Sequence, residues 1–300
     1  MTTKQRSHTK TVYLGCLCMI LGMFFFGITN AVAKATANDL PANELIFFRG
    51  LISSFLMLIY AKFRKSENLL KVNNPKQQIW RGSLGFFQLV FLYWSFALLP
   101  MADATAISFA TTLFVTALAF PMLKEIVGPH RWTATIIGFS GVLFIAHPSG
   151  HLGFEGAAFA ILAAFLEAVV MIYASRFGKD TKAFTTVFYY TVTTCVIGGL
   201  LCPFFWVTPT LSQILLMTLL GFAGTMGHIF IAMSYRFAEA TIVAPMFYTL
   251  MIWGVIFGDV FFGEKPTLDV LLGSALIIAC GLYIVHRERK KHLKHIPEQL

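Results

Sequence analysis

Two titratable side chains, Glu167 and His228, stand inside long apolar segments of the chain, where a charge is costly. A carboxylate at the centre of a membrane-spanning helix costs about 2.5 to 3.5 kcal/mol on translocon scales, so an acid in such a segment marks a functional group. Glu167 lies among alanines and could bind a substrate ammonium group or carry a proton; a structural hydrogen bond is the alternative. His228 could pair with Glu167 and relay protons, or serve as a packing residue.

Three further charged residues, Lys34, Arg49 and Asp103, lie near the ends of apolar segments. Arg49 stands one turn inside its segment. We expect Asp103 or the carbonyls of adjacent links to hold it in a structural role rather than a substrate-binding one. Lys34 has a long apolar stem that lets its ammonium group reach the membrane surface. We therefore assign these three residues to structure or gating.

The remaining candidates for ligand binding are aromatic or amide side chains within the apolar segments. A ring face suits a cation or a planar ligand, and an amide can hydrogen-bond a zwitterion near the middle of a membrane. These residues are Asn30, Gln88, Tyr93, Trp94, Phe109, Tyr248 and Trp253. For each ring, packing or anchoring at the membrane surface is the alternative.

The composition predicts a membrane protein with helical spans. Of the 300 residues, 57% are hydrophobic and 12% are charged, which leaves too little polar surface to cover a soluble globule. The mean hydropathy is +0.73. Ten apolar runs have about the length that crosses a hydrocarbon core, namely 12–33, 45–61, 82–99, 102–122, 132–147, 154–175, 184–206, 211–234, 240–262 and 268–286. The expected fold class is an all-α integral membrane protein with ten transmembrane helices.

The chain contains an internal duplication. The segment Ala102–Thr105, with the sequence Ala-Asp-Ala-Thr, returns as Ala238–Thr241, with the sequence Ala-Glu-Ala-Thr. Each copy is followed by an apolar run that ends in a lone glutamate, Glu125 or Glu264. The duplication predicts two units of five helices. Because five is an odd number, the second unit must enter the membrane from the opposite side, which makes the units inverted repeats.

The acids of the repeat are expected to have structural or gating roles. Glu125 and Glu264 end equivalent spans, and we expect them to cap the following links or to lock the interface between the repeats. Asp103 and Glu239 occupy equivalent positions in the two tetrapeptides. A direct role of the two glutamates in substrate binding is the alternative.

The duplication and the basic residues define the expected organisation. The chain divides into a cytoplasmic N-terminal segment 1–11, a first repeat 12–147, a second repeat 154–286 and a basic cytoplasmic tail 287–300. At a common offset, Phe47–Arg49 aligns with Tyr189–Thr191. With both termini in the cytoplasm, the basic residues at the span ends lie inside, except Lys34, Arg49 and Lys265. A cleaved signal peptide is the alternative for the first span.

The charge and the motifs exclude several functions. The net charge of +9 comes from basic residues at span ends, where an anionic leaflet attracts them, so we expect no nucleic-acid partner. The sequence has no P-loop for ATP and neither the HExxH nor the DxxxD pattern of a membrane enzyme. Its five cysteines show no CxxC pair and no histidines at metal spacing. We expect no enzymatic activity, cofactor or metal.

These features resemble the EamA branch of the drug/metabolite transporter superfamily. The resemblance rests on the Phe48–Arg49 pair, the segment Gly27–Lys34, and the positions of Glu125 and Glu264, and it covers nearly the whole chain. It implies ten helices in an inverted repeat within the inner or plasma membrane. It also implies that spans one, three, four, six, eight and nine surround a central cavity.

One departure concerns a proline. The ninth span keeps Pro245, but the fourth reads Phe109-Ala110-Thr111-Thr112 and lacks the proline that the family often has, which leaves the bending of the fourth helix open.

The expected function is secondary or facilitated transport of small organic metabolites by alternating access. The resemblance implies amino acids and related compounds as substrates, usually exported. The alternative within this class is uptake or exchange of a nucleotide-like metabolite or vitamin such as S-adenosylmethionine, and a membrane sensor is the alternative from another class. The expected partners are a small molecule and the lipid bilayer. Protons as the coupling ion, and a monomer or a homodimer as the assembly, are left open.

Overall fold

The fold is helical throughout the part of the chain that the computed structural model describes, which comprises residues 3–64, 72, 74–123, 129–145, 154–177, 183–238 and 240–294. The helices are α1 Thr3–Thr36, α2 Ala42–Arg64, α3 Pro75–Leu98, α4 Met101–Ser108, α5 Ala110–Leu123, α6 Pro129–Ile145, α7 Phe154–Phe177, α8 Ala183–Leu201, α9 Leu211–Phe237, α10 Ala240–Val243, α11 Thr249–Phe262 and α12 Leu268–Lys294, with a 3-10 turn at Ala244–Tyr248 between α10 and α11. Glu125 and Glu239 lie outside the described residues.

The helices are long and apolar enough for several membrane crossings. Within the described residues, seven stretches qualify as spans, namely Thr11–Thr36, Ala42–Lys62, Met101–Leu118, Phe154–Tyr173, Phe184–Leu201, Leu211–Phe237 and Pro245–Phe262. Trp132–Ile145 and Leu268–Tyr283 are shorter apolar helices. The chain is therefore a multi-pass membrane protein, and the count of ten transmembrane helices stays a prediction.

The start of α3 corrects the expected span boundary. The helix begins at Pro75, whereas the sequence pattern predicts a span from residue 82. Proline fits the first turn of a helix because its missing N–H has no partner there. The expected span 82–99 leaves Arg81 outside the membrane, yet the structure buries this side chain at 8% exposure. Arg81 therefore belongs to the interior of the bundle.

The helices pack in a regular set of pairs. The helix α1 packs against α9 and α11, and α3 packs against α7 and α8. The helix α2 packs against α8 and α9, while α6 pairs with α12 and α4 with α11. Small residues allow close approach, as membrane helices generally require. At the α6–α12 crossing, a Cβ on Gly273 would lie 2.9 Å from the carbonyl oxygen of Gly141, so a larger residue would push the two helices apart.

The fourth apolar span is interrupted although it has no proline at the break. The helix α4 ends at Ser108 and α5 begins at Ala110. At the break, the Phe109 amide donates to the Ala106 carbonyl at 3.2 Å, a tighter pattern than that of an α-helix. The Thr111 hydroxyl donates to the Ser108 carbonyl at 2.8 Å. Hydroxyl groups thus satisfy backbone carbonyls that the break frees from the helix.

The ninth apolar span is interrupted at the equivalent place. Phe109 stands four residues beyond Thr105, and Pro245 stands four residues beyond Thr241. Pro245 lies in the 3-10 turn between α10 and α11. The two breaks meet in the bundle, where the ring of Phe109 lies 5.2 Å from the ring of Tyr248. The open question about the fourth helix is therefore answered: it is broken like the ninth.

Candidate functional site

Glu167 lies in the interior of the helix bundle. Glu167 itself is partly buried on α7, and the neighbouring Ala163 and Ala164 are buried. The carboxyl group interacts electrostatically with the guanidinium groups of Arg81 and Arg49. Among the residues that the structure describes, no cation lies within ion-pair distance of Glu167. The carboxyl group therefore faces two cations and keeps its oxygens free for another partner.

Arg49 points from α2 toward this carboxyl group. Its Nη1 atom donates a hydrogen bond to the Tyr93 hydroxyl at 3.4 Å. Gly224 makes room for the side chain, because a Cβ there would lie 3.2 Å from the Nε atom of Arg49. The expectation that Asp103 or link carbonyls hold Arg49 is wrong. Tyr93 is the partner instead, and Asp103 lies in a separate charged group described below.

Arg81 is a member of the site that the sequence pattern did not identify. Its guanidinium group donates to the carbonyl of Thr186 on α8 and, at 3.3 Å, to the side-chain oxygen of Gln78. It also lies over the ring of Tyr190, 5.5 Å from the ring centre. Its spacing from Gln88, two helical turns along α3, could have revealed a shared polar face.

Tyr190 on α8 completes the group, which we call the central cluster: Arg49, Arg81, Tyr93, Glu167 and Tyr190. The phenol of Tyr190 interacts electrostatically with every other member. Four helices, α2, α3, α7 and α8, supply the five side chains. The aligned segments Phe47–Arg49 and Tyr189–Thr191 pointed to this region, although Tyr190 was used there only to establish the repeat.

A glycine on α3 determines how closely Tyr190 approaches. A Cβ on Gly85 would overlap the Cε2 atom of the Tyr190 ring. We expect Gly85→Ala to destabilise the protein by about 1 to 3 kcal/mol, the usual cost of overpacking, and to weaken ligand binding by displacing the ring. Thermal unfolding and ligand titration of the purified protein measure both effects. The control is Gly258→Ala, whose Cβ would make ordinary contacts at 3.7 Å. Equal behaviour of the two variants would contradict the prediction.

His228 on α9 lies near the central cluster but does not pair with Glu167. Its imidazole packs edge-on against Phe26, with ring centres 5.1 Å apart. It interacts electrostatically with Arg49 and Arg81, and no hydrogen bond joins it to Glu167 within the described residues. The Nε2 atom is buried and has no hydrogen-bond partner there. The possible Glu167–His228 pair is therefore not formed among the described residues, where the imidazole packs against Phe26 on α1 as the packing alternative proposes.

The other predicted ligand-binding residues separate into inner and outer positions. Gln88 is buried on α3, and Asn30 is partly buried on α1. Trp253 on α11 packs against Phe24, with ring centres 5.0 Å apart, and its buried indole N–H has no partner among the described residues. Phe109 and Tyr248 lie at the two helix breaks, as described above. These positions leave the binding roles of the inner residues as predictions.

Trp94 is one of the exposed aromatic residues of α3. It is 44% exposed, and its ring lies 5.3 Å from that of Phe159 on α7. Successive residues of an α-helix are turned by about 100°, so Trp94 and Tyr93 lie on different faces of α3. The binding role of Trp94 stays a prediction.

A second charged group joins three segments at one end of the bundle. The Lys34 ammonium group lies 2.9 Å from Oε1 of Glu264, in the loop between α11 and α12. It also donates to the carbonyl of Leu99 at 2.6 Å. The other carboxyl oxygen of Glu264 accepts the backbone N–H of Met101 at 2.8 Å. We call these contacts the clasp. Asp103 lies beside it and interacts electrostatically with Glu264 and Lys34.

The chemistry of these groups favours binding of a charged small molecule. Two guanidinium groups can hold an anionic group, and the free carboxyl group of Glu167 can hold a cationic one. The described residues contain no cluster of three or more histidine, cysteine, aspartate or glutamate side chains that could hold a metal ion.

Comparisons with known proteins agree with a transport role. The EamA-like transporter family profile matches residues 13–147 and 154–286. The S-adenosylmethionine uptake transporter of Rickettsia bellii is 28% identical over 287 residues, covering 96% of this chain and 98% of the relative. The pseudopaline exporter of Pseudomonas aeruginosa is 27% identical over 269 residues, covering 89% of this chain and 94% of the relative.

A solved crystal structure shares the fold, with a TM-score of 0.65 at 17% identity, covering 93% of this chain and 98% of the other. The two family matches together span most of the chain, and the named relatives are transporters rather than enzymes. The chain therefore belongs to the EamA-like transporter family of the drug/metabolite transporters.

Proposed function

We propose that this protein transports a small metabolite that carries both a carboxylate and a cationic group, with the central cluster as its binding site. The observation that carries the proposal is the position of the buried Arg81 and the partly buried Arg49 around a single carboxyl group, Glu167. With all three groups ionised, the cluster holds one more positive than negative charge. An uncompensated buried charge is costly, so a substrate carboxylate between the arginines would stabilise the site.

The two ends of the substrate would bind at different places. Arg49 is held by Tyr93 and Arg81 by the Thr186 carbonyl, so both guanidinium groups are oriented before the substrate arrives. Such preorganisation lowers the entropic cost of binding. The carboxyl group of Glu167 would accept a hydrogen bond from an ammonium group or interact with a sulfonium group. The ring of Tyr190 would add a face for the cationic part.

The helix pairs support an inverted repeat of two five-helix units, residues 12–147 and 154–286, as the frame for this site. If α1 is exchanged with α7 and α3 with α9, the α1–α9 pair becomes the α7–α3 pair, and both pairs are present. The pair α2–α8 and the pair α6–α12 map onto themselves. Broken helices at equivalent positions near a central site are typical of inverted-repeat transporters. Alternating access would then rock one unit against the other.

The expected orientation follows from the basic residues. We propose that both termini lie in the cytoplasm and that the protein resides in the bacterial inner membrane, which places the clasp on the outer side. The basic residues at the inner span ends then face an anionic leaflet.

Two substrate hypotheses differ in the direction of transport. Export of amino acids or related metabolites is the leading hypothesis, and the exporter from Pseudomonas aeruginosa supports that direction. Uptake or exchange of S-adenosylmethionine is the second candidate, favoured by the uptake transporter from Rickettsia bellii. This molecule carries a carboxylate, an ammonium and a sulfonium group, which is the combination of charges that the central cluster can bind.

Counterflow in proteoliposomes tests the proposal. Vesicles preloaded with unlabelled S-adenosylmethionine or an amino acid mixture should accumulate the labelled compound, whereas a sensor without transport activity would bind it but not accumulate it. The matched ligand control is the methyl ester of each compound, which lacks the carboxylate. We expect the esters to bind at least about tenfold more weakly, because a hydrogen bond to a charged group contributes about 1.5 to 3 kcal/mol. Equal binding of acid and ester would contradict the role of the arginines.

A further inference from the structure

One carboxyl group beside the clasp receives no hydrogen bond from the clasp residues. Asp103, the third residue of α4, is 4% exposed and accepts no hydrogen bond from the described residues. Lysine has three N–H donors. The ammonium group of Lys34 has three acceptors in the clasp, because it also lies 3.3 Å from the carbonyl of Phe96. Lys34 therefore has no donor left for Asp103 while the clasp is closed.

The charges at the clasp do not balance. Lys34 supplies one positive charge, and Glu264 and Asp103 supply two negative charges when both are ionised. The second negative charge is buried next to the first. A bound cation would remove this imbalance, and a proton is the one cation that needs no further ligands.

The surroundings offer no second cation among the described side chains. The helix α4 packs against α1, α3, α5, α6, α7, α11 and α12. From these elements, Lys34 and Glu264 are the charged groups that act on Asp103. Of the other described charged groups at this end of the bundle, Asp39, Glu155, Asp259, Lys265 and Asp269 are exposed. Glu44 is buried at the start of α2, where it accepts the backbone N–H of Val207.

We propose that Asp103 binds a proton while the clasp is closed and that release of this proton opens the clasp. Without the proton, the Asp103 carboxylate competes with Glu264 for the Lys34 ammonium group. Movement of Lys34 toward Asp103 frees the end of α1 from the loop between α11 and α12. The clasp therefore closes at low pH and loosens at high pH. This inference rests on the proposed transport function, since it assigns a coupling ion to that function.

The test measures access to a buried position inside the clasp. Ala102 lies between Met101 and Asp103 and is 2% exposed. In a variant without the five native cysteines, Ala102→Cys is treated with a charged, membrane-impermeant thiol reagent in nanodiscs. Because thiolate content itself rises with pH, each rate is divided by the rate of Thr208→Cys, which is exposed in the loop between α8 and α9.

We expect the normalised labelling rate to rise several-fold from pH 5 to pH 8. Asp103→Asn should keep the rate low at both pH values, because the amide cannot compete for Lys34. Glu264→Gln should raise the labelling rate at both pH values, because it removes the ion pair with Lys34. The control Asp269→Asn, which changes an exposed acid of α12, should keep the pH-dependent rise. Asp103→Glu, which keeps a carboxyl group at this position, should show the rise as well.

Two results would overturn the proposal: a rise in Asp103→Asn equal to that of the parent, or no rise in the parent. Labelling needs no substrate, so it gives an answer even if counterflow fails. Conversely, if counterflow is observed but the normalised labelling rate does not change with pH, the transport function stands and the proton site is rejected.

Discussion

Replacement of Glu167 by glutamine is expected to reduce transport by about 10- to 100-fold, because the variant loses a charge-assisted interaction with the cationic part of the substrate. The amide has nearly the size of the carboxyl group, so the surrounding alanines on α7 should pack as before. The variant also places an uncharged group opposite Arg49 and Arg81, which removes the negative charge that now acts on both. Initial rates of counterflow in proteoliposomes measure the loss.

The matched control for this prediction is on the same helix. Glu155→Gln makes the same chemical change at the exposed start of α7 and should leave transport unchanged. Thermal unfolding should be similar for both variants, which would separate a loss of binding from a loss of folding. If Glu167 also carries a proton, the pH dependence of the remaining transport of Glu167→Gln should differ from that of the parent and retain only the part that the clasp imposes. Unchanged rates at several pH values would remove Glu167 from the mechanism.

Loss of one side of the clasp should produce the largest change in stability. Lys34 and Glu264 are 11% and 23% exposed, so each is mostly removed from water. Removing one partner of such a pair leaves the other charge uncompensated, and we expect Lys34→Ala to lower the free energy of unfolding by about 3 kcal/mol. Glu264→Ala removes the acceptor of the Met101 amide as well as the ion pair but leaves Asp103 beside Lys34, so we expect a smaller loss than for Lys34→Ala. Unfolding in mixed detergent micelles measures both values.

A double-mutant cycle separates the ion pair from the other contacts. The variant with both alanines should be less destabilised than the sum of the two single changes. Glu264→Gln keeps an oxygen for the Met101 amide and should fall between the parent and Glu264→Ala. Lys265→Ala, next to the clasp but exposed, is the control and should change stability little. Additive effects of the two alanines would mean that Lys34 and Glu264 contribute independently.

Hydropathy predicted a helical membrane protein, and the resemblance at Phe48–Arg49 and Gly27–Lys34 predicted the EamA family; the structure and the family profile confirm both. The reason is that the bilayer sets the length and composition of each span. The ends of the individual spans were less predictable. Arg81 was assigned to a cytoplasmic loop because charged residues usually end a span, but contacts with α8 from outside its own helix hold it in the interior.

Helix rotation was the other unpredictable feature. Tyr93 and Trp94 are adjacent in the sequence and equally aromatic, yet one is 1% exposed and the other 44%. Only the packing of α3 against its neighbours decides which of the two faces Arg49. The same limit explains the wrong partner assigned to Arg49. Sequence position placed Asp103 near it, whereas the nearest acceptor in space is on a different helix.

The two broken spans differ in one respect that affects their mechanics. Pro245 has no amide hydrogen, so the backbone at the second break can never regain a full set of helical bonds. At Phe109 every residue keeps its amide hydrogen, and the kink depends on hydroxyl groups that can rotate away. We therefore expect that the backbone at the first break can regain helical hydrogen bonds, whereas the backbone at the second break cannot. The two halves of the duplication thus contain one helix break that can change and one that is fixed by its proline.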